Sequence, residues 1–210
     1  LILFTSDNGP VGVPMPDDAS AGGGTAGPFR GLKGSLYEGG VRVPWIARWP
    51  GRARVGKVDN DSIWSGVDLH ATLASLAGAT LPTGLDGEDR SAALAGPSAR
   101  KSPLYWDWRA PQSFRPAIHG SPMIATREGN WKFYINPDGT RPELYDVAID
   151  PGEMDNRLEV EAETGARLKA GAMTYWNAMP ASPYPKHTGQ INYAWPTEKK
   201  RKPTPTADPE

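Results

Sequence analysis

The sequence predicts an α/β protein in which an α/β core is followed by a small antiparallel sheet and a helix. A short apolar run at residues 1–4 ends in the turn-forming stretch TSDNGP, which is typical of a buried strand leaving a sheet. Apolar residues recur at helical spacing between residues 69 and 77. After residue 103 the pattern changes to short strand-like runs on brief connections, which favours an antiparallel sheet.

Two strands are predicted in the first fifty residues. The first covers residues 1–4, and the second lies within residues 41–49. Pro44 cannot donate a backbone hydrogen bond, which indicates a strand start or a sheet edge near that position. A long Gly- and Pro-rich connection at residues 11–28 separates the two strands, and loops of this kind are usually functional rims or lids.

A helix is predicted at residues 65–78. Asp68 is suited to its first turn, and Gly78 is suited to end it. We interpret His70 as structural, since a lone helical histidine is more often structural than catalytic. Apolar residues at helical spacing are expected to pack this helix against the sheet, and they are Leu69, Leu73, Leu76 and Ala77.

The second half of the chain is predicted to contain four strands and a helix. A helix at residues 155–178 is expected to be interrupted or weakened at Gly165 and Gly171, and to pack through Leu158, Ala162, Leu168 and Ala172. A short helical piece is expected near residues 91–94. The strands are predicted at residues 104–108, 123–127, 131–135 and 143–147, with a turn at residues 128–130.

These patterns divide the chain into three parts. Residues 1–100 are predicted to belong to the α/β core, and residues 101–180 to a small α+β subdomain. Residues 181–210 are Pro-rich and include four consecutive cations, which is typical of a solvated and poorly ordered tail.

Composition argues against several classes of function. The formal net charge of −1 and the pI near 6.4 argue against a protein that binds nucleic acid by neutralising phosphates. No apolar run approaches the roughly 20 residues that span a bilayer. The chain has no Cys, so this portion contains no disulfide, and the sequence does not fix an oligomeric state.

Asp7 and Asn8 follow the first strand directly. In an open parallel sheet, ligands bind outside the carboxyl ends of the strands, which is where these side chains are expected. A carboxylate and an amide carbonyl offer two hard oxygen donors, and Gly9 lets the backbone turn so that both converge. The pair suits calcium or magnesium better than zinc. The alternative is an Asp-Asn-Gly turn without a ligand.

Lys33 lies in a glycine-rich stretch. An ammonium group is a compact partner for a tetrahedral oxyanion, and neighbouring glycines allow a ligand to approach closely. The alternative is a solvated loop lysine.

Taken together, these motifs resemble the type I sulfatases, which are formylglycine-dependent sulfate ester hydrolases of the alkaline-phosphatase-like superfamily. The resemblance rests on Asp7-Asn8-Gly9, on the run GLKGSLYEGGVRVP at residues 31–44, on Trp49-Pro50-Gly51, and on the run ELYDVAIDPGE at residues 143–153. It implies an alkaline-phosphatase-like core, of which this chain is the C-terminal part. It also implies that Asp7 and Asn8 are two of the four protein ligands of a calcium ion, and that Lys33 contacts the sulfate oxygens as a catalytic residue.

The nucleophile of that family is absent from this chain. The family converts a Cys or Ser within a Cys/Ser-x-Pro-x-Arg motif to formylglycine, and neither Cys nor a Ser-x-Pro-x-Arg motif occurs here. The resemblance implies that this motif, the catalytic histidine and the remaining metal ligands lie upstream. We therefore expect this chain alone to be inactive.

The resemblance implies a sulfated small molecule or glycan as substrate and a periplasmic or extracellular location. Aromatic and cationic side chains would suit a subsite for a sulfated sugar, with buried core packing as the alternative, and they are Trp106, Trp108, Arg109, Arg115 and His119. Two other functions are compatible with the residues. One is a phosphate or phosphonate monoester hydrolase of the same superfamily, and the other is a non-catalytic fragment or binding module.

Overall fold

The computed structural model of the protein describes residues 1–11, 24–110 and 117–181. Most of the long connection, Arg115 and the tail after residue 181 lie outside the described residues. Among the helices of the described ranges, none combines the length and apolar character needed to cross a membrane. The elements in chain order are β1 (Ile2–Thr5), α1 (Glu38–Val41), β2 (Trp45–Arg48), α2 (Asp68–Leu76), β3 (Leu104–Asp107), β4 (Ile124–Glu128), β5 (Trp131–Ile135), β6 (Glu143–Asp146) and α3 (Ala162–Ala178), with short 3₁₀ turns at Ser91–Leu94 and Ala117–His119.

The first sheet consists, within the described residues, of β1 and β2. Strand β2 begins directly after Pro44, as predicted. The two strands pair antiparallel, with Phe4 opposite Ile46. The expected burial is wrong, because Ile2 and Phe4 are each 60% exposed and Ile46 is 58% exposed. These three side chains share one face of the pair, and the described residues leave that face uncovered.

Helix α2 lies within the predicted residues 65–78 but does not have the predicted packing face. Gly78 follows it with φ of +70°, as expected for a residue that ends a helix. Its buried residues are Asp68, Ala71 and Thr72, whereas Leu73 is 43% exposed. Polar contacts select this side, because Asp68 accepts a hydrogen bond from the Glu88 N–H at 2.9 Å and Thr72 accepts one from the Arg90 N–H at 2.9 Å. The helix therefore packs on the loop that follows it, and the expected leucine contact with the sheet is wrong.

The second sheet contains the four predicted strands in the order β3-β4-β5-β6, each antiparallel to the next. Because side chains alternate across a strand, β5 points Phe133 and Ile135 to one face and Lys132 and Tyr134 to the other. The first face packs on α3 through Leu168. The second packs on the segment that carries Lys33. The sheet is therefore buried on both faces.

Helix α3 runs without a break through both glycines that were expected to interrupt it. Side chains from neighbouring segments explain their presence. A Cβ added at Gly165 would lie 2.5 Å from Leu158, and one added at Gly171 would lie 2.9 Å from the Tyr105 hydroxyl. The glycines thus allow close packing, and the predicted interruption is wrong. Leu168 and Ala172 are buried as predicted, whereas the helix begins only at Ala162, which is exposed.

Leu168→Ala is expected to lower the free energy of unfolding by about 2–5 kcal/mol, because truncating a buried leucine leaves a cavity. Leu168 is 3% exposed in the core between α3 and the sheet. Urea unfolding curves measure this change. Lys169→Ala, at the exposed neighbouring position, is the control and should change the free energy by no more than about 0.5 kcal/mol. Equal losses in the two variants would contradict the packing described here.

Candidate active site

A cavity of about 710 Å³ opens between the end of β1, β3 and the lysine loop, which we define as residues 27–44. Its lining includes all three residues that the sequence predicted for metal or sulfate binding, Asp7, Asn8 and Lys33. Trp106 and Trp108 line it as well. The structure thus brings oxygen donors, a loop lysine and aromatic side chains to one cavity.

Two backbone hydrogen bonds hold the end of β1 against the lysine loop. The Gly9 N–H donates to the Gly40 carbonyl at 2.9 Å, and the Lys33 N–H donates to the Pro10 carbonyl at 2.9 Å. The backbones are so close that a Cβ added at Gly9 would lie 1.9 Å from the Gly39 carbonyl oxygen. Only glycine fits at this contact, which fixes the position of Asp7 and Asn8 relative to Lys33.

Asp7 and Asn8, the candidate metal ligands, offer oxygen atoms at the cavity wall. Asp7 is exposed and Asn8 is half-buried. The Asn8 amide nitrogen donates to the Gly9 carbonyl at 3.1 Å, so its side-chain oxygen is the atom that could coordinate a cation. Calcium takes about 6–8 oxygen ligands. The donors present therefore fit part of a calcium site. The described residues contain no cluster of three or more His, Cys, Asp or Glu that could hold a metal by itself.

Glu38 fixes the lysine loop to the second sheet through a buried cluster of charges. Its carboxylate accepts a hydrogen bond from the Lys132 ammonium at 2.7 Å, and its second oxygen lies 3.4 Å from both Arg42 and Arg127. Glu38 and Lys132 are both fully buried. Burial alone would raise the pKa of Glu38, but Lys132 and then Arg127 outweigh it and lower the pKa. The loop carboxylate is thus held ionised among three cations.

Glu153 supports the same loop from the turn after β6. Its side chain accepts a hydrogen bond from the Glu38 N–H at 2.8 Å, which ties it to the start of α1. Its other oxygen contacts the Tyr134 hydroxyl, which also lies 3.3 Å from the Leu36 carbonyl. Burial, with a smaller contribution from the Glu38 charge, raises the pKa of Glu153 to about 7 against the opposing effect of Lys132. When protonated, Glu153 can donate to Tyr134, whose own proton then reaches Leu36.

Two of the proposed sugar-subsite residues support the surrounding structure and are absent from the described cavity lining. His119 accepts a hydrogen bond from the Gly31 N–H at 3.1 Å, behind the lysine loop. Burial, and then the Arg30 charge, lower the pKa of His119, which matches its role as an acceptor. Arg109 pairs with Asp107 and lies 4.3 Å from the centre of the Trp176 ring. Arg115 lies outside the described residues.

Sequence reasoning gave no individual role to Glu38, Lys132 or Glu153. One local signal was available for Lys132. It alternates with Phe133 along β5 and shares the face of Tyr134, and a lysine on a strand face that is otherwise aromatic needs a buried partner. The identity of that partner was not readable, since Glu38 lies 94 residues away in the chain.

A known family matches this chain. The family described as N-sulphoglucosamine sulphohydrolase, C-terminal, matches residues 31–170. Human arylsulfatase A is 36% identical over 182 residues, which cover 75% of this chain and 33% of that protein. An N-acetylgalactosamine-6-O-sulfatase of Bacteroides thetaiotaomicron is 30% identical over 189 residues, which cover 80% of this chain and 34% of that protein. The chain thus spans about a third of the length of these curated relatives.

Solved structures show the same similarity. The PsFucS1 sulfatase from Pseudoalteromonas sp. superposes with a TM-score of 0.60 at 27% identity, covering 86% of this chain and 38% of that one. Ps i-CgsB in complex with k-i-k-neocarrahexaose superposes with a TM-score of 0.61 at 26% identity, covering 84% of this chain and 36% of that one. The predicted fold class, an alkaline-phosphatase-like α/β core followed by a small antiparallel sheet and helix, is confirmed.

Glu153→Gln is expected to remove a pH dependence of stability. The folded-state pKa of Glu153 is about 7, above its ordinary 4.5, so the folded state binds this proton more tightly. The stability that Glu153 contributes is therefore full below about pH 4.5 and is lost as the pH rises through about 7. Glutamine mimics the neutral form at every pH.

Free energies of unfolding in urea, measured from about pH 5 to 8, test this expectation. The variant should gain stability relative to the unmodified protein as the pH rises. Glu163→Gln replaces an exposed acid of α3 and should show no such trend. A difference for Glu153→Gln that stays constant with pH would contradict the raised pKa.

Proposed function

The chain belongs to the type I sulfatases, and from this premise we propose that it forms part of an enzyme that hydrolyses sulfate esters. The observation that carries the proposal is that Asp7, Asn8 and Lys33 line one cavity, on two segments joined by backbone hydrogen bonds. The proposal concerns the whole enzyme, because this chain spans about a third of the length of its curated relatives.

Lys33 is proposed to bind and stabilise the oxygens of the sulfate group. Its side chain is exposed on a loop whose base is held by buried contacts of Glu38 and Glu153. A fixed cation beside a group in which negative charge develops stabilises the transition state without rearrangement at the moment of reaction. Support for the electrostatic role therefore comes from the buried contacts at the base of the loop as well as from the charge.

Asp7 and Asn8 are proposed to hold a calcium ion, whose charge would offset that of the sulfate oxygens. A carboxylate and an amide oxygen are ligands that this hard cation prefers. Further ligands and a formylglycine nucleophile are proposed to come from outside this chain, which has no Cys. The proposed location is the periplasm or the extracellular space, because sulfated polymers lie outside cells.

A sulfated glycan or aryl sulfate is the proposed substrate class. Trp106 and Trp108 line the cavity and offer aromatic surface against which a sugar or aryl ring can stack. Among the relatives, the N-acetylgalactosamine-6-O-sulfatase of Bacteroides thetaiotaomicron is named for a sulfated sugar. These observations support a ring-bearing sulfate ester.

Lys33→Ala in the full-length, formylglycine-containing enzyme is expected to lower kcat for an aryl sulfate by about 10²–10³-fold, as for loss of one transition-state donor. Stability should change by no more than about 0.5 kcal/mol, because the side chain is exposed. Lys101→Ala is the matched control, since Lys101 is exposed and is not part of the described cavity lining. Unchanged turnover in Lys33→Ala would contradict the assigned role. A parent enzyme that cleaves phosphate esters but no sulfate ester would contradict the proposed reaction.

Asp7→Ala is expected to weaken calcium binding in the full-length protein. The unfolding temperature of the unmodified protein should rise with calcium and fall with a chelator, because a ligand that binds the folded state stabilises it. In the variant this dependence should move to calcium concentrations at least about tenfold higher. Asp61→Ala, at an exposed position away from the described cavity lining, should leave the dependence in place. An unchanged calcium dependence in Asp7→Ala would show that Asp7 is not a ligand.

A further inference from the structure

A second cavity of about 490 Å³ adjoins the first one. The two cavities share part of their lining, including Arg42 and Arg127. Trp45 and Trp64 belong to both linings, and their rings stack with centroids 4.6 Å apart. A ligand in the first cavity can therefore extend into the second past an aromatic and cationic wall.

The second cavity concentrates positive charge in a chain whose formal net charge is −1. Its described lining contains four cations, Arg42, Arg54, Lys57 and Arg127, and a single acid, Asp59. The Asp59 carboxylate already accepts hydrogen bonds from the N–H groups of residues 61 and 62, each at 2.9 Å. A cleft lined by charges of one sign focuses its field and raises the local concentration of the opposite ion.

Among these four cations, Arg42 and Arg127 are the best placed to bind an anion together. Both guanidinium groups lie 3.4 Å from the same oxygen of Glu38, whose other oxygen is taken by Lys132. These two contacts are longer than typical charge-assisted hydrogen bonds, which measure about 2.7–2.9 Å. Glu38 therefore holds the two arginines near each other without saturating the five donors that each guanidinium group carries. Even with Glu153 counted as ionised, this cluster of three cations and two acids is positive. The side chain of Arg42 is 44% exposed and that of Arg127 is 18% exposed.

We propose that the second cavity binds a second sulfate group of the substrate through Arg42 and Arg127, while the sulfate ester to be cleaved lies beside Lys33 in the first cavity. The inference rests on the proposed function and narrows its substrate class to multiply sulfated saccharides. Two neighbouring guanidinium groups can each present paired donors to the oxygens of one tetrahedral anion, a match that single lysines do not provide.

Equilibrium binding to the full-length protein tests the proposal. The probes are galactose 6-sulfate and galactose 2,6-disulfate, with protein produced without formylglycine formation so that neither sugar is consumed. The disulfate should bind about tenfold more tightly than the monosulfate, which corresponds to one good charge-assisted contact of about 1.4 kcal/mol. In Arg42→Gln and Arg127→Gln this preference should fall to about threefold or less. Absence of a preference in the unmodified protein, or its persistence in both variants, would overturn the proposal.

Controls separate a binding effect from a loss of structure. Arg52→Gln removes an exposed arginine that lies over Trp49 and belongs to neither described lining, so the preference should persist. Arg127→Lys keeps a positive charge beside Glu38, so it tests the guanidinium donors without removing a cation from that carboxylate. Arg42→Gln replaces the more exposed of the two arginines. Thermal unfolding of each variant shows that it is folded under the conditions of the titration.

Hydrolysis of an aryl monosulfate by the formylglycine-containing enzyme distinguishes the two proposals. Hydrolysis without a preference for the disulfate would overturn the second sulfate site and leave the proposed function intact. A preference for the disulfate without hydrolysis of any sulfate ester would support the second site and contradict the proposed function.

Discussion

The ionised carboxylate of Glu38, buried among Lys132, Arg127 and Arg42, is the interaction on which the lysine loop depends. Removing one partner of such a group leaves an uncompensated charge away from water, which is far more costly than losing an exposed ion pair. Glu38 lies five residues after Lys33 in the same loop, so fixing the carboxylate to the sheet also fixes the backbone that presents the lysine. The second sheet is therefore a structural support of the candidate site.

The two faces of that sheet contribute to the structure in different ways. The face toward α3 is mainly apolar and is closed by close packing at Gly165 and around Leu168. The face toward the loop carries tyrosines and charged groups, and it needs complete pairing because polar atoms buried without partners are costly. The apolar face supplies stability through area removed from water, whereas the polar face permits one loop arrangement, since other positions of Glu38 would leave Lys132 unpaired.

Local sequence signals were enough to predict the strands and the two longer helices, but not the short helix α1 or the sides on which the elements pack. The strands of the second sheet and the ends of α2 follow from alternation, from an acidic first turn and from Gly78, all of which act within a few residues. The packing of α2 depends on Glu88 and Arg90, whose N–H groups select its polar side.

The expected break in α3 was wrong because the partners of its glycines, Leu158 and Tyr105, lie outside the helix. Asp7, Asn8 and Lys33 could be predicted as candidate site residues because they lie in recognisable runs, whereas the pair of Glu38 and Lys132 has no local signature.

The separation of these partners along the chain also determines when the site can form. Glu38 meets Lys132 across 94 residues and Glu153 across 115 residues. Contacts of such long sequence range form slowly, because loop closure must precede any gain from them. During synthesis the N-terminal part of the chain leaves the ribosome first, at about 5–20 residues per second. The lysine loop is therefore synthesised several seconds before the strand and the turn that hold it, and it lacks those contacts during this time.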